Sequence, residues 1–215
     1  MSLLDFLREE EVWERFYEYK LSLACPKQFT RELRFFIDEK RYLPVCERIA
    51  AHDHFPLPQK SVLSKMGTDK KRTVYSYPDD ENTVLKLLTY LMLRKYDYIF
   101  EDGLYSFRPG RTASGAVRDL LKKKDIFGRY CYKADIHDYF NSIPVESFLP
   151  MLKSALYDDG ELYGFLAGLL TEPEVIYKGK IITGQKGIMA GLLPAPVNQI
   201  GKLLEGEKAD PQRQK

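Results

Sequence analysis

The 215 residues suffice for one large domain or two modest ones, and a hydrophobic share of 44% is ample for a buried core. The net charge of +2 excludes little, but it is unevenly spread: residues 65–133 hold 15 Lys/Arg against 9 Asp/Glu, while residues 1–64 net −1 and residues 134–215 net −3. A basic middle of this kind is the charge footprint of a phosphate-binding surface, although a solvated helix face with loops produces the same excess. No apolar run approaches the length needed to span a bilayer, so no membrane partner is expected, and the N-terminus turns acidic too soon for a secretory signal. Three scattered cysteines (Cys25, Cys46, Cys131) offer no disulfide framework and suit a reducing, cytoplasmic setting.

In chain order, residues 2–20 carry helical spacing in Leu3, Leu4, Phe6, Leu7, Val12, Trp13, Phe16 and Tyr17. Residues 28–50 read as two further helices, with Phe35, Phe36 and Ile37 toward a core, and the prolines of 54–59 break the chain. Residues 61–78 read as a β-hairpin with a basic tip, because two strand-like runs flank the turn chemistry of "MGTD". Residues 81–100 form an amphipathic helix, acidic at its start and basic at its end, as the helix dipole favours. "LYSFRPGRTASGAVRDLLKKK" (104–124) is a Pro-Gly loop and then a helix that Thr112 or Ser114 can cap. A strand is expected at 130–136, a helix from Val145 to Leu156, and a second hairpin turning at Lys178-Gly179-Lys180. Beyond Leu193 the chain turns polar, the composition of a disordered tail.

"YKADIHDYFNSI" (132–143) puts Asp135 at the end of the expected strand, with the carbonyl of Ile136 beside it. These are two oxygen donors of the kind a hard cation such as Mg²⁺ takes. Asp138 lies past the turn, and the two carboxylates are equally well read as a turn Asp and a helix cap. The hairpin offers Lys65 before its tip and Arg72 after it, cations able to grip a triphosphate; an exposed polar hairpin would carry the same residues. The "HDH" at 52–54 has metal-like spacing with Cys46 nearby but lacks a fourth ligand for a closed zinc site.

In order, "SKMGTDKKRTVYSYP", "LYSFRPGRTASGAV", "YKADIHDYFNSI" and "GQKGIMAG" resemble the reverse transcriptases of bacterial retroelements, in particular the group II intron-like RNA-directed DNA polymerases. The likeness covers residues 58–191. It implies an α+β fold of right-hand polymerase type: an N-terminal helical extension (1–57), fingers (58–128), a partial palm of short antiparallel sheet backed by two helices (129–193) and a divergent tail (194–215).

The same resemblance implies roles. Asp135 would be the catalytic metal ligand, helped by the Ile136 carbonyl, in a two-metal Mg²⁺ site of which only one carboxylate source is present. Phe140 would sit under the sugar of the incoming deoxynucleotide, Asp138 would line its triphosphate, and Lys65 and Arg72 would hold the outer phosphates. Arg108 and Arg111 would meet template or backbone phosphate. Gly187 to Gly191, with Ala190 and Gly191 at the nucleotide, would approach the template pair. The implied partners are an RNA template, a DNA primer and deoxynucleoside triphosphates, with no organic cofactor.

No Tyr-x-Asp-Asp or similar paired-Asp turn follows; the Asp-Asp pairs at 79–80 and 158–159 do not sit between apolar strands. The expectation is therefore a polymerase truncated before its second palm carboxylates and inactive by itself. The alternatives are a non-catalytic nucleic-acid-binding remnant and a gene fragment without function.

Overall fold

The computed structural model describes residues 1–23, 25–64, 71–106, 108–133, 143–184 and 187–189. The first twenty residues do not make one helix. A 3-10 turn over Asp5–Arg8 is separated from α1 (Glu10–Ser22) by extended backbone at Glu9. The break lets Leu3 and Leu7 point into the same core as Val12, Trp13 and Phe16. Helices α2 (Lys27–Asp38) and α3 (Tyr42–Ala50) follow. In α2 the helical period buries Leu33, Phe36 and Ile37 and turns Phe35 out, so only two of the three expected residues face inward.

The first hairpin forms as expected from β1 (Gln59–Ser64) and β2 (Lys71–Ser76), antiparallel from Gln59↔Ser76 to Ser64↔Lys71. Helix α4 (Asp79–Lys95) carries three acidic residues in its first turn and two basic ones in its last, and it buries Val84, Leu85, Leu87, Leu88 and Met92. Helix α5 (Ala113–Leu121) is capped by Thr112, whose Oγ1 accepts the Gly115 N–H at 3.0 Å. Helix α6 (Val145–Ala155) is as expected; α7 (Gly160–Thr171) was not anticipated and packs against it.

The second hairpin pairs β3 (Glu174–Tyr177) with β4 (Lys180–Thr183). Lys178 and Gly179 both have positive φ, 51° and 75°, the backbone of a two-residue turn matched to strand twist.

The four strands form one sheet in the order β2-β1-β3-β4. This corrects the purely antiparallel sheet: β1 and β3 run parallel, in register at Gln59↔Ile176, and the Ile176 N–H donates to the Pro58 carbonyl at 2.9 Å. The strand expected at 130–136 is also corrected for its described part. Residues 130–133 carry no strand, and all four are exposed, because no described strand lies beside them to complete a ladder. Residues 134–136 lie outside the described residues.

The fold is thus mixed α+β, with a small four-stranded sheet and seven α-helices among the described residues. Buried side chains from the N-terminal helices, α4, α6, α7 and β3 join in one core. None of the helices is long and apolar enough to cross a membrane, among the described residues.

Candidate nucleic-acid interface

Arg108-Pro109-Gly110-Arg111 is a type II turn by its chemistry and its backbone. Proline occupies the second position, Gly110 has φ 73° at the third, and the Arg111 N–H donates to the Arg108 carbonyl at 3.2 Å. The turn sends its two arginines to different fates.

Arg108 goes inward, its side chain 3% exposed. Its guanidinium forks onto Asp97, Nε to Oδ1 at 2.8 Å and Nη2 to Oδ2 at 2.9 Å, while Nη1 donates to the Glu101 carbonyl at 2.7 Å. It also lies 5.9 Å from the Phe100 ring centroid. The hydrogen bonds from Arg108 hold the Asp97 carboxyl below the usual carboxylate range. Arg108 therefore ties the 97–108 loop together, and its donors point at protein rather than at a nucleic-acid partner.

This assignment has a measurable consequence. Arg108→Ala is expected to lower stability by about 2 kcal/mol in urea unfolding, from lost charge-assisted hydrogen bonds. Arg108→Lys recovers little, because an ammonium cannot fork. Asp97 has a depressed folded-state pKa, so its contribution is full above the unfolded carboxylate pKa. It is lost as pH falls through the folded value, and the gap between Arg108→Ala and wild type should narrow in acid. A gap that widened there would refute the pairing.

Arg111 goes outward. It meets the fully exposed Asp102 at 3.2 Å and lies 5.6 Å from the Tyr105 ring centroid. Such a surface pair is worth little and is readily exchanged for a phosphate. Beside it, Arg118 of α5 and Lys122 just past its end stand around an open cavity of about 380 Å³ that Tyr105 and Gly115 also line. Asp119 takes hydrogen bonds from the Tyr105 hydroxyl at 2.7 Å and the Lys122 ammonium at 2.8 Å, which lowers its carboxyl pKa. Arg118 is exposed and makes no ion pair among the described residues. Lys123 and Lys124 continue the basic run past the helix end.

The remaining expected site residues are placed unequally. Asp135, Ile136, Asp138, Phe140, Lys65, Ala190 and Gly191 lie outside the described residues. Arg72 is placed by its backbone in β2, its Cα opposite Leu63, one residue from the end of the described ladder. Gly187 has φ 91°, a conformation suited to glycine, and Ile188 and Met189 after it are buried, so that end of the loop is anchored in the core.

The Asp135 and Ile136 oxygens suit Mg²⁺ in donor type. No group of three or more His, Cys, Asp or Glu side chains gathers as a metal site among the described residues. The basic middle of the chain and the Pro-Gly turn were readable from the sequence; that Arg108 would be consumed by Asp97 was not, since the two meet only through the fold.

No protein-family model matches the chain, and no curated protein matches it.

Proposed function

We propose that this chain belongs to an RNA-directed DNA polymerase of the bacterial retroelement type and supplies its fingers and the first part of its palm. The observation that carries the reading is the Arg108–Arg111 turn followed by a capped helix that runs into the Lys122–Lys124 cluster, in the sequence order of such fingers. The hairpin β1–β2 supports it, because its described ladder runs from Gln59↔Ser76 to Ser64↔Lys71, the hairpin that the resemblance expects in the fingers.

In this reading Arg111 and Arg118 neutralise template or primer phosphates, and Lys65 and Arg72 hold the outer phosphates of a deoxynucleoside triphosphate. Asp135 and the Ile136 carbonyl hold a Mg²⁺, which when bound supplies Lewis-acid stabilisation of the transferring phosphoryl group. Phe140 sets the space beneath the sugar, and Asp138 borders the triphosphate. The 215 residues contain no second carboxylate pair between apolar strands. Polymerisation by this polypeptide by itself is therefore not expected.

The test is binding and primer extension on an RNA template with a DNA primer. Binding is expected to weaken with salt, and Arg111→Ala/Arg118→Ala should lower the slope of log K against log salt by about 1.5 to 2. Deoxynucleotide with Mg²⁺ should tighten the complex. Tight binding indifferent to both would favour a nucleic-acid-binding remnant instead. Extension by the 215-residue chain that Asp135→Ala abolishes would sink the expectation of inactivity, and no binding at all would sink the whole reading.

A further inference from the structure

The molecule holds a second cavity, of about 240 Å³, between the α3–β1 connection and α7, which shares no lining residue with the one beside α5. Its apolar walls include Phe55 and Phe165, whose rings meet edge to face at 5.5 Å, with Phe55 also edge-on to Tyr77 at 5.0 Å. Its ionisable lining is one-sided. Asp53 and Glu172 border it together with two histidines, and no lysine or arginine does. Glu172 faces His54 at 3.1 Å.

Two features of this cavity carry a cost in stability. Tyr77 is 4% exposed, yet its hydroxyl has no hydrogen-bond partner among the described residues. A buried hydroxyl left unpaired is destabilising. Burial pushes the phenol's pKa up, and the Glu172 carboxylate adds to this, so the group stays neutral. The second feature is Gly164 and Gly168, one turn apart in α7 on the cavity wall. Glycine costs a helix about 1 kcal/mol relative to alanine. A methyl group at either position would meet no atom within 4 Å, so packing does not demand glycine there. What glycine preserves is the empty space.

We propose that this cavity is a binding site for a small organic cation, an amine carried on an aromatic or similarly flat apolar body. The rings of Phe55 and Phe165 would hold the body. The amine would donate to the Tyr77 hydroxyl and to Glu172, with Asp53 adding favourable charge and the aromatic faces attracting the cation. By the ~30 Å³ that a water takes in the liquid, the cavity has room for roughly eight heavy atoms. The site stands apart from the polymerase reading and does not depend on it.

Benzylamine is the probe, with benzyl alcohol as its neutral near-isostere, titrated calorimetrically into the 215-residue chain at neutral pH. Benzylamine is expected to bind at least about tenfold more tightly than benzyl alcohol. Gly164→Ala/Gly168→Ala should lose benzylamine binding by about tenfold or more while melting at or above the wild-type temperature. Tyr77→Phe should weaken the amine without lowering the melting temperature, because it removes an unpaired buried hydroxyl. No binding of benzylamine to wild type overturns the proposal. So does equal binding of the amine and the alcohol, or full binding by the double alanine variant.

Discussion

Asp159→Ala is expected to lower the melting temperature by roughly 10 °C, from a loss of about 3–5 kcal/mol. Asp159 is the buried carboxylate at the head of α7, its side chain 1% exposed. One oxygen accepts the Ser2 hydroxyl at 2.6 Å and the Leu162 N–H at 3.1 Å, and the other accepts the Leu3 N–H at 2.8 Å. It therefore caps a helix and pins the start of the chain with a single group. Alanine would leave three donors without an acceptor, at least two of them sealed from water. Its neighbour Asp158 is a control. Asp158 pairs with Lys95 at 2.9 Å and takes the Tyr96 hydroxyl at 3.0 Å, but it is about a third exposed, so Asp158→Ala should cost about 1 kcal/mol. Circular-dichroism melts of the two variants decide the matter. Equal losses would show that Asp159 is not the latch.

Trp13→Ala should cost about 3–5 kcal/mol, the range for deleting a large buried aromatic. Trp13 is fully buried, stacked on Tyr42 at 4.9 Å, tilted against Phe36 at 5.4 Å and edge-on to Phe16 at 6.1 Å. Its indole N–H donates to the Leu7 carbonyl at 2.8 Å, a carbonyl that also receives the Cys46 thiol at 3.2 Å. Burial pushes that thiol's pKa up to about 12, so it should be inert to alkylation in the native protein. Removing the indole opens the packing over Leu7. The measurement is the rate of Cys46 labelling under native conditions, which should rise in Trp13→Ala and not in a surface control such as Phe35→Ala. Unchanged labelling together with an unchanged urea midpoint would refute the keystone role.

Local chemistry was legible in the sequence where a single stretch carried its own signals. The first hairpin announced itself through two β-rich runs about a turn, and the second through Lys178-Gly179, whose positive φ values the structure displays. Helix α4 was readable from its charge gradient and α5 from Thr112.

Helix α7 was missed because its apolar residues run almost unbroken through "GELYGFLAGLL", giving no clear polar face, and its three glycines argue against helix. The signal that could have found it was Asp159 immediately before that run, a residue type that favours the N-cap. The burial of Arg108 and the β1–β3 pairing were not readable, since each joins segments that no local pattern links. Of the expected site, Lys65, Asp135, Ile136, Asp138, Phe140, Ala190 and Gly191 lie outside the described residues, whereas Arg111 stands on the described surface beside α5.

The seam between β1 and β3 also sets a clock. Ile176 follows Gln59 by well over a hundred residues, and the two hairpins meet there. At a synthesis rate of about 5–20 residues per second, the first hairpin waits on the order of ten seconds for its third strand to be made. Ser2 waits longer still for the acceptor of its latch, since Asp159 follows it by 157 residues. During that interval the inner edge of β1 has no partner, and Val62 and Leu63 on the strand face water even in the finished fold. A nascent chain of this protein is thus open to pairing with a neighbouring nascent chain on the same message, and slower translation lengthens that exposure.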